Sequence, residues 1–349
     1  MARFLQVAAS AVAVLTLVAS CAPTRGDRTD DVPVVAGVPT CPAVSLTRVG
    51  ERHSAVEATN NGGTWDLTRA VWDENAPDPI EYPVRSDAWT KGCVLGGTIY
   101  GNIPRHATRD QWYDGDGGAA SPGGDAFRPT LTDTPGNFVL IKDAYVEDFE
   151  DAYDTNSALD SSTTYLVHVR ARYIRDDCLE IEDVPHRVVI RDSFFDGCFT
   201  AFAERPSGGH AERNGDGAFS FTVESSLVHV RPQRLGPGYC SDEQVEEGRC
   251  TPTKDPDVWL GAYGIWKWSP DAASEVVVRD TIFRLDIASY SSCSSQEWPA
   301  GTYEDVTVVW TGNGRYKNAG GCHNRLPKGV ELTTDLGVWR AAKGAWLDG

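Results

Sequence analysis

The feature that most constrains the fold is an eight-residue phrase that recurs along the chain in the pattern apolar-x-apolar-charged-x-small-x-apolar. The copies are VLIKDAYV (Val139–Val146), VHVRARYI (Val167–Ile174), VVIRDSFF (Val188–Phe195), FTVESSLV (Phe221–Val228) and VVVRDTIF (Val276–Phe283). Successive copies begin 28, 21, 33 and 55 residues apart. A β-rich phrase that recurs at such intervals, with longer gaps where loops are inserted, is typical of a solenoid.

A second short strand precedes most copies of the phrase. These strands are predicted at Ser157–Asp160, Cys178–Glu182, Phe199–Glu204 and Tyr263–Trp268. Two or three short strands per repeat, joined by tight bends, describe one coil of a parallel β-helix whose coils pair side by side. A leucine-rich repeat would show its Leu/Asn consensus, and a propeller needs a longer unit. The sequence therefore predicts an all-β, single-stranded parallel β-helix over residues 94–335.

The two ends of the chain are predicted to lie outside this body. Arg3 and the apolar run 4–18 lead to Val-Ala-Ser-Cys at Cys21, which resembles the lipobox of bacterial lipoprotein precursors. The resemblance implies a signal peptide at 1–20, lipidation of Cys21 and an extracytoplasmic protein anchored to the membrane by this lipid alone. An ordinary signal peptide is the alternative. Polar residues 21–36 are predicted as a tether, 37–93 as an N-terminal cap and 336–349 as an amphipathic helical cap.

The cysteines indicate a disulfide framework. Of the nine cysteines, eight remain when Cys21 is set aside, and no pair has the C-x-x-C spacing of a zinc site. Even numbers of cysteines in exported chains favour disulfides. Proximity along the chain predicts the pairs Cys41–Cys93, Cys178–Cys198, Cys240–Cys250 and Cys293–Cys322.

The charge of the chain limits its partners. The formal net charge is −18, so we expect electrostatic repulsion from nucleic acid, and no nucleic-acid partner is predicted. A polyanionic ligand would need a local basic patch or a bridging divalent cation. The expected state is a monomer.

Alternation in three of the short strands predicts which side chains face the core, because successive residues of a strand point to opposite faces. The predicted inward residues are Leu179, Ile181, Ala201, Ala203, Trp266 and Trp268. The predicted outward residues are Glu180, Glu182, Phe202, Glu204 and Lys267. His168 and His229, which alternate with Val, are also predicted to be exposed.

Residues 94–335 resemble the right-handed parallel β-helix superfamily with the pectate-lyase-like fold. Asp154 lies in Asp-Thr-Asn, and Asp176-Asp177-Cys178 begins 22 residues later. This spacing resembles that of the polygalacturonase-type hydrolases and implies that Asp154 stacks beside Asp176 and Asp177 on adjacent coils. The chain lacks that family's Gly-His-Gly, since 196–199 reads Asp-Gly-Cys-Phe, and it lacks the Arg-x-Lys, although Lys267 lies near its expected place.

Carboxylates on a rigid sheet suit two reactions on polysaccharides: glycoside hydrolysis, and calcium-assisted elimination from a uronate. The candidate catalytic residues are Asp154, Asp176, Asp177 and Glu180. The candidate substrate-binding residues are Glu182, Phe202, Glu204, Arg205 and Lys267. Calcium is the one cofactor that this interpretation of the sequence includes. Two alternatives remain open: a non-catalytic surface protein that binds glycan, and a structural role in which Asp176 and Asp177 cap backbone N–H groups at a coil corner.

Overall fold

Short strands make up most of the chain in the computed structural model, which describes residues 37–349 except 53, 59–62, 74–81, 114–123, 133, 158–161, 182–185, 205–219, 247, 269–274, 289–297, 313–315 and 317–325. The strands are β1 (Val44–Arg52), β2 (Val56–Ala58), β3 (Gly63–Asp73), β4 (Val84–Trp89), β5 (Lys91–Tyr100), β6 (Asp125–Leu131), β7 (Phe138–Lys142), β8 (Tyr145–Glu147), β9 (Asp151–Asp154), β10 (Asn156–Ser157), β11 (Thr163–Val167), β12 (Arg170–Arg172), β13 (Asp177–Ile181), β14 (Arg187–Arg191), β15 (Phe194–Cys198), β16 (Thr200–Glu204), β17 (Ser220–Glu224), β18 (Leu227–Val230), β19 (Gln233–Leu235), β20 (Cys250–Pro252), β21 (Trp259–Gly261), β22 (Gly264–Lys267), β23 (Glu275–Arg279), β24 (Ile282–Leu285), β25 (Gly301–Glu304), β26 (Val306–Trp310) and β27 (Val330–Thr333). The α-helices are α1 (Arg109–Tyr113), α2 (Asp242–Glu246) and α3 (Leu336–Asp348).

Most of the strands stack in parallel on three faces, whereas β19, β20 and β21 form a separate antiparallel sheet. Face 1 consists of β7, β11, β14, β17, β23 and β25; face 2 of β8, β12, β15, β18, β24, β26 and β27; and face 3 of β2, β4, β6, β9, β13, β16 and β22. Strand β5 is long enough to pair with β7 on face 1 and with β8 on face 2. Because one coil supplies β11, β12 and β13 in succession to the three faces, the fold is the predicted parallel β-helix. Parallel pairing of β1 with β3 and of β3 with β5 extends through the segment predicted as a cap.

The corner between faces 1 and 2 is built from residues with left-handed backbone. Their φ angles lie between 45° and 57° at Asp143, His168, Asp192, Ser225, Asp280 and Asp305. Asp and Asn tolerate this region better than other non-glycine residues. The N–H groups of the first five corner residues donate to a carbonyl of the next coil, as from Asp143 to Val167 and from Asp192 to Glu224. The corners therefore continue the strand ladders from coil to coil.

Strand register corrects the alignment of the second phrase. Thr164 pairs with Val139 and with Val188, so the second copy is Thr164–Ala171 and not Val167–Ile174. The predicted copy was shifted by three residues because His168 occupies a corner where the other copies carry Asp or Ser. With the correct register, the first three copies are spaced almost evenly.

Face 3 also corrects the predicted orientation of Phe202. In five of its strands, β6, β9, β13, β16 and β22, two consecutive residues face the core, as do Cys178 and Leu179. The register pairs Leu179 with Phe202, and Glu180 with Ala203. The alternation of inward and outward residues in β16 is therefore offset by one residue from the predicted one. Phe202 is buried in the core and Ala203 lies in the outward row, opposite to the prediction. The inward-facing consecutive pairs of face 3 are Ala126/Phe127, Ala152/Tyr153, Cys178/Leu179, Ala201/Phe202 and Ile265/Trp266.

The remaining inward and disulfide predictions agree with the structure where it describes the residues. Leu179, Ile181, Trp266 and Trp268 lie in the main core cluster. The disulfides Cys41–Cys93, Cys178–Cys198 and Cys240–Cys250 are formed as predicted. Cys21, Cys293 and Cys322 lie outside the described residues, so the fourth pair and the lipidation site stay predictions. Among the described residues no helix has the length and apolar character that a membrane span requires.

The C-terminal helix α3 packs along the outer surface of face 2. Trp339 is buried against Phe194, Leu227 and Val309, which belong to three different coils. Asp335 caps the helix by accepting a hydrogen bond from the Gly337 N–H at 2.7 Å. The helix therefore covers the flank of several coils and does not close the end of the last one.

A charged network fastens α3 to this flank. Lys343 Nζ donates to Asp196 Oδ2 at 2.6 Å. His229, predicted to be exposed, is instead buried between two carboxylates, with Nδ1 2.9 Å from Asp196 Oδ1 and Nε2 3.0 Å from Asp286 Oδ2. Burial alone would raise the pKa of Asp196, but the hydrogen bonds from His229 and Lys343 outweigh it and lower that pKa.

Lys343→Ala is expected to lower the free energy of unfolding by about 1 kcal/mol near neutral pH, because the lysine is partly exposed. A carboxyl whose folded pKa is lowered stabilises the protein above its unfolded pKa, about 4, and loses this contribution as the pH falls further. Wild type and variant should therefore differ above about pH 4 and converge in stronger acid. Urea unfolding at several pH values measures this. A difference that does not depend on pH would contradict the assignment.

Candidate functional site

Face 3 carries two rows of polar residues on its outer surface. In one row Asp125 pairs in register with Asp151, and Asp177 pairs with Thr200. The Asp177 N–H donates to Asp151 Oδ1 at 2.6 Å, which joins these two pairs into one row. The second row, read across β9, β13, β16 and β22, is Asp154, Glu180, Ala203 and Lys267. The rows bring carboxylates from successive coils together.

We call the carboxylates of this surface the acidic cluster: Asp125, Glu150, Asp151, Asp154, Asp176, Asp177 and Glu180. All are buried except Asp176, which is half-buried. Asp154 and Asp177 are each only 1 % exposed. An ionised carboxylate at such depth needs a cation or several hydrogen bonds, so its partners decide its charge.

The four predicted catalytic residues, Asp154, Asp176, Asp177 and Glu180, all lie in this cluster. Their pairing differs from the one implied by the resemblance, because Asp154 is in register with Glu180. Asp151 instead occupies the place beside Asp177. Sequence reasoning missed Asp125, Glu150 and Asp151. A signal existed, since Asp125, Asp151 and Asp177 recur every 26 residues and Glu150 precedes Asp176 by the same interval.

Lys267 is the predicted substrate-binding residue that the structure places in the cluster. Its Nζ lies 2.6 Å from Asp177 Oδ2 and 3.8 Å from Glu180 Oε1. Ala203 stands between Lys267 and Glu180 in the row, and its small side chain leaves room for the lysine to reach across. Burial alone favours the neutral amine, but the carboxylates of Asp177, Asp176 and Glu180 outweigh it and raise the pKa of Lys267.

Two arginines that the sequence did not single out hold other members of the cluster. Arg109, on α1, binds both carboxylate oxygens of Asp176, with Nη2–Oδ2 at 2.5 Å and Nη1–Oδ1 at 3.2 Å. Arg128 on β6 contacts Asp125 Oδ2 and Asp154 Oδ2, each at 3.1 Å. These contacts favour the ionised forms of the carboxylates involved.

Other members of the cluster are pushed towards the protonated form. Burial, with the nearby charges of Glu180 and Asp176, raises the pKa of Asp151 well above its ordinary value. Burial and the charge of Asp176 raise the pKa of Glu150 to about 7, although Glu150 accepts a hydrogen bond from the Gly124 N–H. Asp176 and Glu150 occupy equivalent places on adjacent coils, since the Asp176 N–H donates to the Glu150 carbonyl at 2.9 Å.

A metal ion has one candidate position in the described part of the chain. Asp151, Asp176 and Asp177 offer carboxylate oxygens that lie within 4.8 Å of one another. Calcium takes six to eight oxygen ligands. Here Lys267 and Arg109 already contact Asp177 and Asp176, so they supply the positive charge that a cation would bring. These contacts fit a calcium site poorly, and calcium stays a prediction of the sequence.

Of the other predicted substrate-binding residues, the structure describes Phe202 and Glu204. Phe202 lies in the core, and Glu204 is buried at the end of β16, in register with the inward-facing Ile181. Glu182 and Arg205 lie outside the described residues.

What the site can do chemically follows from its charge pattern. It combines carboxyls whose pKa values are raised, Glu150 and Asp151, with carboxylates held by cations, a pattern that suits acid–base catalysis. Comparison of the chain with protein-family models, with curated proteins and with solved structures gives no match.

Proposed function

We propose that the protein is a polysaccharide-cleaving enzyme of the pectate-lyase-like superfamily and that its acidic cluster hydrolyses a glycosidic bond. The observation that carries the proposal is the pair formed by Glu150 and Asp176. Glu150 has a pKa of about 7, and Asp176, which lies on the adjacent coil, is held by the Arg109 guanidinium. Two neighbouring carboxyls with opposite charge preferences suit the roles of general acid and of base or nucleophile.

The residues of the acidic cluster have different roles in this mechanism. Glu150 donates its proton to the leaving glycosidic oxygen, and Asp176 activates water or attacks the anomeric carbon. Asp177, Glu180 and Lys267 form a charged network beside them that favours the positive charge developing on the sugar ring. Hydrolysis is preferred over elimination because Lys267, the one lysine in the cluster, has a raised pKa and is a poor base at neutral pH.

Glu150→Gln is expected to lower kcat by about 100-fold or more, because the amide keeps the shape of a protonated carboxyl but cannot donate its proton in the same way. In the wild type, kcat should fall as the pH rises above about 7, where Glu150 loses its proton. The variant should lose this alkaline limb. Stability should change little, since Glu150 already binds a proton near neutral pH.

The substrate is identified by a screen of pectic, algal and cell-envelope polysaccharides, with and without calcium. New reducing ends without absorbance of unsaturated products indicate hydrolysis, and both signals together indicate elimination. Glu304→Gln, which exchanges the same groups on face 1 far from the cluster, is the control and should retain full activity. Wild-type turnover in Glu150→Gln would overturn the assigned role.

One observation favours a second function, non-catalytic binding of glycan by the same face. Asp154 and Asp177 are almost fully buried, and each is ion-paired with a cation from another coil, Arg128 and Lys267 respectively, as scaffold residues are. This function predicts saturable binding in a glycan array with no product released. Detection of chain cleavage by the purified protein would exclude it.

We also propose that the protein is exported and anchored by a lipid at Cys21. The three disulfides support export, because disulfides persist in oxidising compartments. Metabolic labelling with a fatty acid should mark the wild type and not Cys21→Ser. A monomeric state and the absence of nucleic-acid partners remain predictions from composition.

A further inference from the structure

A basic cleft lies beside the corner between faces 2 and 3. It is on the same side of the acidic cluster as helix α1. It has a volume of about 430 Å³ and is lined by four arginines, Arg105, Arg175, Arg231 and Arg234, together with Tyr173 and Gln233. This volume falls in the range of small-molecule sites. Four guanidiniums around one cleft stand out in a chain whose net charge is −18.

Three of these arginines lack a carboxylate partner among the described residues. Arg105 is neutralised, since its guanidinium contacts Asp148 at 2.7 Å and also binds Glu147. In the part of the chain that is described, no carboxylate lies within ion-pair distance of Arg175, Arg231 or Arg234. Asp286 also lines the cleft, but its oxygens are engaged by other groups: His229, Arg284 and Thr311.

Arg175 is the most unusual of the three because it is a cation in the protein interior. It is only 4 % exposed; its Nη2 donates to the Ala107 carbonyl at 2.8 Å, and its Nε has no partner. Burial lowers the pKa of Arg175 to about 10; Asp148 opposes this shift, and the charges of Arg109 and Arg234 add to it. A buried cation without a counter-ion is unfavourable, and an anion bound in the cleft would remove that cost.

The neighbouring groups are held in place by contacts of their own. Gln233 donates from Nε2 to the Ile174 carbonyl at 2.5 Å. The Tyr173 ring packs against Arg105 and Arg231, whose guanidinium carbons lie 3.9 and 5.0 Å from its centroid. Burial alone would raise the pKa of Tyr173, yet the contacts with Arg231 and Arg172 lower it, which reflects the positive potential here. The cleft is thus positive before any ligand binds, and Gln233 and Tyr173 are held by contacts within the protein.

We propose that this cleft is a binding site for an oxyanion, either a carboxylate or a sulfate or phosphate group, and that Arg175, Arg231 and Arg234 bind its oxygens. Guanidinium forks donate paired hydrogen bonds to such groups. The cleft has room for an anion alone or for one carried on a sugar-sized molecule. The site is separate from the acidic cluster, and the proposal does not depend on that cluster being catalytic.

The test is a calorimetric titration of the purified chain at constant ionic strength. The ligands are inorganic sulfate, inorganic phosphate, glucuronate and glucose 6-sulfate, with glucose as the neutral control. We expect saturable binding of at least one anion and none of glucose. Tighter binding of the sugar anions would identify a saccharide ligand, and equal or tighter binding of the inorganic ions would identify a free oxyanion. Absence of binding by all four anions would overturn the proposal.

Two variants locate the site. Arg231→Ala and Arg234→Ala remove side chains at the more accessible rim, without breaking an ion pair, and each should weaken binding about tenfold, the effect of losing one charge-assisted contact. Arg187→Ala, an exposed arginine on face 1, is the matched control and should bind as the wild type. Wild-type affinity in both cleft variants would place the anion elsewhere. Glu150→Gln should bind normally, so failure of the catalytic proposal would be seen separately.

Discussion

Lys267→Met is expected to lower the free energy of unfolding by about 3 to 5 kcal/mol, because removal of one partner leaves a buried charge uncompensated. Asp177 is 1 % exposed and contacts Lys267 Nζ at 2.6 Å. Methionine retains the apolar stem of lysine, so the loss reports the charge and not a cavity. Urea unfolding followed by tryptophan fluorescence measures it, with the exposed Lys328→Met as the control.

The pH dependence of this loss separates charge from packing. Without Lys267, the folded-state pKa of Asp177 should rise further above its unfolded value, and a raised carboxyl pKa destabilises the protein increasingly as pH rises through that range. The deficit should therefore be small near pH 4 and grow towards pH 7. In the double variant Asp177→Asn/Lys267→Met much of the stability should return. A deficit below about 1 kcal/mol, typical of an exposed pair, would contradict a buried ion pair.

Phe202→Ala is expected to cost about 3 to 5 kcal/mol of stability, the usual loss for deleting a fully buried aromatic ring. The ring packs against Phe195, Phe221 and Trp266, with centroid distances of 5.8, 5.2 and 5.3 Å. Because the ring joins residues of two successive coils, the loss should be close to the upper end. Chemical unfolding gives the measurement.

The same variant tests the corrected orientation of the strand. If Phe202 faced outward as a platform for sugar, its removal would weaken glycan binding and leave stability within about 0.5 kcal/mol of wild type. Leu332→Ala, at a residue that is 46 % exposed, is the control for such a surface change. An unfolding midpoint equal to that of the control would return Phe202 to the surface.

Features of the fold that depend on neighbouring residues were predictable from the sequence, and features that depend on other coils were not. The repeated phrase predicted the fold class because the coil repeats its turn chemistry, with Asp at corners such as Asp143, Asp192 and Asp280. The same reasoning failed in the second copy, where His168 occupies the corner. Strict alternation of inward and outward residues gave the wrong orientation for Phe202. Ala201 and Phe202 are consecutive and both face inward, and their residue types do not indicate this.

The candidate site divides in a similar way. Asp154, Asp176 and Asp177 could be chosen from the sequence because their spacing resembles that of a hydrolase family, and Glu180 because it alternates with apolar residues in a strand. The acid that the chemistry needs, Glu150, was missed because a single glutamate in a loop-like stretch carries no local sign that its pKa will be raised. That shift comes from burial and from Asp176, which is 26 residues away and comes close only when coils stack.

By itself the sequence determined the repeat, the paired cysteines and the chemical types available at each corner, because these depend on neighbouring residues. Only the tertiary structure decided which carboxyls have raised pKa values, that Lys267 reaches Asp177 across Ala203, and that four arginines gather around one cleft. The physical reason is that charge states and contacts depend on distances between coils. Those distances follow from register and from the length of every intervening loop, which no local pattern records.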